Sequence, residues 1–121
     1  MESTHGKVLA AYRTITQFAQ KDMKSLCAYK LFRLRKALME DVEFQTEQEK
    51  KKIADLGGTV TETGEIKLTK EKMAEYIKWH GEFDAEPCEV DREKTVLFLR
   101  ELPEISIADM ETLDEFVDWK E

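Results

Sequence analysis

The residues best suited to chemistry lie in one stretch, DMKSLCAYKLFRLRKAL, where Lys24, Lys30, Arg33, Arg35 and Lys36 occur with no acid between Lys24 and Met39. On a helix, Lys30, Arg33 and Lys36 (or Ala37) project to one side, and Tyr29 stands one turn from Arg33. Tyr12, on a preceding helix, is placed to face them across a helical hairpin. An aromatic ring beside arginines holds a nucleobase by stacking and a phosphate by bidentate hydrogen bonds. Tyr12, Tyr29, Lys30, Arg33 and Lys36 are therefore the candidate ligand-binding set. The plainer expectation is that these cations pair with the carboxylates of the C-terminal segment, Asp109, Glu111, Asp114, Glu115, Asp118 and Glu121, within the chain or between subunits.

Other reactive residue types are scattered. The run Glu82, Asp84, Glu86, Glu89 and Asp91 lacks the glycine and ligand spacing of an EF-hand loop and reads as a solvated acidic loop. The two histidines are His5, in a terminus expected to fray, and His80, beside Trp79 near a helix end. There a protonated ring is favoured by the helix dipole. Cys27 and Cys88 match no metal-binding spacing, and Cys27 is expected to pack as a small hydrophobe. Gly57-Gly58 follows a helix instead of opening one, so no phosphate-cradling loop is expected. No catalytic residue, metal set or cofactor emerges, which points to a non-enzyme.

The chain has 121 residues, room for one domain with a modest core. At 37% charged residues and 41% hydrophobic, it suits long helices with solvated faces. A net charge of −7 argues against general nucleic-acid binding, which neutralises phosphates with lysine and arginine. No apolar run approaches membrane-spanning length, and MESTHGKV lacks the layout of a signal peptide, so cytoplasmic residence is expected.

The elements that must position these residues centre on one long helix, Met23 to Gly58, with no internal proline or glycine. Leu31, Leu34, Leu38 and Val42, then Ile53 and Leu56, mark one face; Gln45 and Glu49 interrupt it. Running unbroken from about Lys24 to Leu56, it is about 50 Å long and overhangs a compact domain of this size. A second subunit is expected to cover the overhang at Val42, Phe44, Ile53 and Leu56. Before it, Ser3 or Thr4 caps a helix from about Lys7 to Lys21. After it, Thr63-Gly64 turns a small β-hairpin, and Thr69 caps a helix from Lys70 to about Phe83 with Met73, Tyr76, Ile77 and Trp79 inward. TVLFL reads as a strand. Ser106 with Asp109 caps a last helix, Ile107 to about Trp119, whose apolar face is Met110, Leu113, Phe116 and Val117. The fold class is mainly α with minor β: residues 1–58 form the helical hairpin, and 59–121 a small α+β part packed on it.

Over nearly its whole length the layout resembles a family of small proteins of unknown function encoded by tailed phages and prophages. The resemblance rests on LAAYRTITQFAQKDMKSLCAYKLFRLRKAL, the close EQEKKKIADLGG, the Gly-centred hairpin and the acidic ISIADMETLDEFVDW. It implies a phage origin and transfers no catalytic residues; the basic stretch Arg33–Lys36 departs from the family pattern. A counter-defence factor follows as the expectation, one that inhibits host immunity by sequestering a nucleotide signal or occupying a host protein in the cytoplasm of an infected bacterium. The alternative is a virion structural or assembly protein that oligomerises through the long helix.

Overall fold

The computed structural model describes residues 1–121 and is mainly helical with three small strand pairs. Strand β1 (Glu2–Thr4) leads into helix α1 (His5–Phe18), and α2 (Ser25–Asp55) follows. The hairpin β2 (Thr59–Val60) and β3 (Ile66–Lys67) precedes α3 (Lys70–Ala85) and β4 (Pro87–Glu89). Strand β5 (Thr95–Phe98), a single 3-10 turn, α4 (Ile107–Leu113) and β6 (Val117–Lys120) complete the chain.

Helix α2 is the spine, unbroken for 31 residues or about 46 Å. Its inward positions Cys27, Leu31, Leu34 and Leu38 meet Val8, Ala11, Ile15 and Phe18 of α1, all 4% exposed or less. These residues form the main core together with Val90, Leu97, Leu113, Phe116 and Val117. Helix α1 runs antiparallel to the first half of α2, as Tyr12 meeting Arg35 and His5 meeting Asp41 show. Helix α3 returns along the second half, where His80 meets Glu49 and Phe83 meets Phe44. Helix α3 also packs on α1, where the Phe83 ring stacks on His5.

Part of the face expected to meet a second subunit is covered within the chain. Ile53 is 5% exposed and Leu56 half-buried within their own chain, and Val42 packs against the core. Of the four seam residues, Phe44 alone is largely open, at 48%. The reversal that brings α3 back depends on two glycines. Gly57 takes φ +73°, the left-handed conformation that closes a helix. At Gly58 a Cβ would collide with Leu68 and stand 2.9 Å from the Lys67 carbonyl oxygen. Because a backbone atom must give way, Gly58→Ala is expected to cost about 2 kcal/mol, read from urea unfolding.

Caps fall where the side chains dictate. Thr4, Thr69 and Ser106 each accept a hydrogen bond from the backbone N–H three residues on, at Lys7, Lys72 and Asp109. The hairpin and the TVLF strand form as expected.

Four local expectations fail. The last helix stops at Leu113, and residues 117–120 instead form β6, parallel to β5 with Thr95 opposite Val117. Carboxylates at Asp114 and Glu115 oppose the negative end of a helix dipole, whereas β5 has an edge to fill. The N-terminus is not frayed: β1 pairs antiparallel with β4, Ser3 opposite Cys88, and His5 is 6% exposed. The acidic loop therefore contains a strand. Ile77 points outward at 63% exposure, because α3 turns Tyr76 and Phe83 to α2.

Candidate functional site

The basic stretch sits on the first half of α2, opposite its buried face. Leu26, Tyr29 and Phe32 are 54%, 55% and 57% exposed, and Arg33 and Lys36 share their side of the helix. The Tyr29 ring tilts against Phe32 at 6.4 Å, and Arg33 Nη1 donates to Tyr29 Oη at 3.4 Å. Beside Phe32 a small apolar cavity of about 290 Å³ opens between the hairpin arms, lined by Ile15, Phe18, Met23, Leu31, Phe32 and Arg35 among others.

Of the five sequence-predicted ligand residues, the fold thus brings together Tyr29, Arg33 and Lys36. The other two turn elsewhere. The Lys30 ammonium lies 5.0 Å over the Phe98 ring, on the β5 side. Tyr12 is engaged by Arg35: the guanidinium covers its ring at 4.8 Å and donates to its hydroxyl at 3.1 Å. Arg35 Nε donates to Thr16 Oγ1 at 3.0 Å, so Arg35 is a hairpin clamp. No convergent nucleotide pocket results.

Nor do the C-terminal carboxylates neutralise this face. Helix α4 packs on α1, and no Lys or Arg of α2's first half lies within ion-pair distance of an acid. Glu115 instead accepts from Ser3 Oγ at 3.1 Å. Arg33 is left free to meet an outside anion, while Lys36 borders the cleft that holds Glu40, Asp41, Glu89 and Asp91.

A second constellation forms where β1, α1, α2 and β4 meet. His5 Nδ1 lies 2.9 Å from Asp41 Oδ2, and Gln45 Nε2 donates to the same oxygen at 2.8 Å. Gln45 Nε2 also donates to the His5 carbonyl at 2.9 Å. The His5 ring stacks on Phe83, with centroids 4.5 Å apart and planes within 6°, and Phe44 tilts against it at 5.7 Å. The Cys88 thiol joins from β4, its sulfur within 4.8 Å of the His5 and Asp41 ligand atoms. Burial first, then the negative, hydrogen-bond-accepting carboxylate of Asp41, push the thiol up to about 11.

Sequence reading missed this cluster because its members are drawn from three distant segments. The one available signal was Gln45, a polar residue on the apolar stripe, which is 3% exposed and marks where polar partners must be supplied.

The raised thiol has a measurable consequence. With the folded value near 11 against an ordinary 9.0, the unfolded state holds fewer protons between those pH values. Stability is therefore fully present below pH 9 and falls as pH rises toward 11. Cys88→Ser is expected to remove that part of the decline in urea unfolding series. Iodoacetamide should modify Cys88 slowly at pH 8, and about tenfold faster per pH unit above it.

A third contact fixes α3. His80 Nε2 lies 3.1 Å from Glu49 Oε1 and Nδ1 lies 3.0 Å from Asp84 Oδ2; both contacts are donations only when the ring carries two protons. Its place near the helix end agrees with the sequence reading, but its partners are carboxylates of two helices. This clamp is structural.

Compared with models of protein families, with curated proteins and with solved structures, the chain shows no significant match. Function rests on the two sites themselves. No helix is long and apolar enough to cross a membrane.

Proposed function

We propose that the protein is a non-enzymatic binding factor that docks on an acidic groove of a partner protein through the outer face of α2. One observation carries this: Leu26, Tyr29 and Phe32, each more than half exposed, align with Arg33 and Lys36, which have no carboxylate partner in a chain of net charge −7. An exposed apolar helix face suits a groove, and aromatic and arginine side chains dominate such contacts. The acidity of the partner follows from Arg33, which no carboxylate of the chain meets.

The resemblance to small phage proteins supports placing this binding in counter-defence: in the cytoplasm of an infected bacterium, the protein inhibits immunity by occupying a host protein. Sequestration of a nucleotide signal has less behind it, because Lys30 and Tyr12 turn away from Tyr29 and Arg33. The virion-assembly reading also weakens, since Ile53 is covered within the chain. The state of Cys88 supports a non-enzymatic reading as well. A thiol held protonated by burial and a neighbouring carboxylate is the reverse of an activated nucleophile.

The test compares tagged wild-type protein with the double variant Phe32→Ala/Arg33→Glu in host cells. A host protein held by the wild type should be lost by the variant, and affinity of the purified pair should fall at least tenfold and weaken with salt. Retention of the same protein by both forms would overturn the reading. Cyclic and linear nucleotides should leave the melting temperature unchanged. A rise that disappears in Arg33→Ala would favour the nucleotide instead.

A further inference from the structure

We infer that His5, Asp41 and Cys88 form a zinc site that clamps the N-terminal strand and β4 to the middle of α2. The three donor atoms, an imidazole nitrogen, a carboxylate oxygen and a thiol sulfur, lie within 4.8 Å of one another. A tetrahedral zinc ion holds such donors about 2.0–2.3 Å from itself, hence about 3.2–3.8 Å from each other. The widest pair must close by about 1 Å and the His5–Asp41 pair must open by a few tenths of an ångström, movements within side-chain reach.

The donor types point to zinc. Thiolate with imidazole selects borderline and soft cations, whereas magnesium and calcium take oxygen sets. The surroundings already have the layout of a metal site's outer shell. Gln45 Nε2 holds the Asp41 carboxylate at 2.8 Å, and the His5 ring is fixed between Phe83 and Phe44. Such partners orient ligands before the ion arrives. The His5 and Asp41 side chains are only 7% and 16% exposed, so little water competes for them.

An approach is present too. Asp41 forms part of the wall of an open cleft of about 670 Å³, whose other residues include Glu40, Glu89, Asp91 and Lys36. The carboxylates outnumber the one ammonium, so the cleft is net negative and draws a divalent cation toward the cluster. On binding, zinc takes the place of the Cys88 thiol proton, which leaves to solvent; the His5 ring changes tautomer, its proton passing from Nδ1 to Nε2 through water, and Asp41 exchanges its contacts with His5 and the thiol for the ion. A water completes the fourth position. The gain is a staple joining residues 5, 41 and 88, which no other covalent or metal link does.

Metal-free full-length protein titrated with Co²⁺ should take up one equivalent and show thiolate-to-cobalt charge transfer in the near ultraviolet. One equivalent of Zn²⁺ should displace it and raise the melting temperature. Cys88→Ser should lose the charge-transfer band and bind Zn²⁺ at least 100-fold more weakly, while Cys27→Ser keeps both. Should Cys88→Ser fail to fold, the wild type still decides: Zn²⁺ should slow iodoacetamide modification of Cys88 at least tenfold. Absence of the band and of any protection in the wild type would overturn the proposal, as would a band that persists without Cys88.

Discussion

Leu34→Ala should cost about 3 kcal/mol of folding free energy, while Phe32→Ala, two positions earlier on α2, should cost less than about 0.5 kcal/mol. Leu34 is 1% exposed, inside the cluster that joins α1, α2, β5 and β6. Cutting it to alanine removes buried methyl groups and leaves a void between elements that cannot all move in together. Phe32 is 57% exposed and borders open space, so its truncation mostly exchanges one solvated surface for another. Against a domain stability of about 5–15 kcal/mol, the Leu34 loss is large and should lower the melting temperature by about 10 °C. Urea unfolding of the two variants side by side measures the contrast. Partner affinity should show the opposite order, with Phe32→Ala losing at least tenfold and Leu34→Ala retaining near wild-type binding where it remains folded. Equal stability costs would mean that something covers Phe32 in solution. A native-mass measurement would then show whether that cover is a second copy of the chain.

The contrast works because α2 has a strict helical period, and that is also why so much of the hairpin was legible. Buried residues at 27, 31, 34 and 38 recur at the spacing of one face, with no proline or glycine between them, and Gly57-Gly58 end the run. Thr4, Thr69 and Ser106 announced the helix starts because a hydroxyl before an apolar run is the cheapest way to satisfy an orphan N–H. The three-residue strands β1 and β4, with no alternating apolar pattern, carry no such signal. The polar EST of β1 and the PCE of β4 form because each supplies the other's hydrogen bonds and because α1 must begin beside the end of α3, where His5 N donates to Glu86 O. Likewise Phe116 and Val117 satisfy a helical pattern on paper. Their burial at 1% is reached instead by adding β6 to β5, a tertiary preference that outweighs local propensity.

Spacing along one helix correctly grouped Tyr29, Arg33 and Lys36, since they share a helix face whatever surrounds it. It could not place Tyr12, which depends on the register between two helices. That register puts Tyr12 and Thr16 opposite Arg35. Nor does spacing see a site assembled from His5, Asp41 and Cys88, since 36 residues separate the first pair and the third arrives on a strand that the sequence does not announce. Along the second half of the long helix, where spacing predicts a seam with another chain, Ile53 is buried within its own chain and Phe44 stays open. The unmatched apolar surface is on the first half, beside the unmatched positive charge.

Asp41→Ala should be about as damaging as a core truncation, costing about 3 kcal/mol, although it removes a partly exposed charged residue. One carboxylate oxygen accepts from Gln45 and lies 2.9 Å from His5 Nδ1, and the Cys88 sulfur stands beside the same group. Deleting the acceptor strips the His5 ring nitrogen of its partner, leaves Gln45 with the His5 carbonyl alone and empties the space beside the Cys88 thiol, and each unsatisfied buried group costs about 1–3 kcal/mol. The sum is moderated because Asp41 lines the open cleft, where water can replace part of what is lost. Asp41→Asn should cost about half as much: it keeps one amide oxygen as an acceptor but places an NH₂ against donors. Both variants should loosen β1 from β4 before they unfold the hairpin, since His5 and Cys88 hold those strands to α2 while the leucine face of α2 is untouched. Hydrogen exchange would read this as early loss of protection at residues 3–5 and 88–90, with α2 retained. Uniform loss across the chain would place Asp41 in the global core instead. In the Asn variant, alkylation of Cys88 should quicken at pH 8, because the charge and the acceptor that hold the thiol's proton are both weakened.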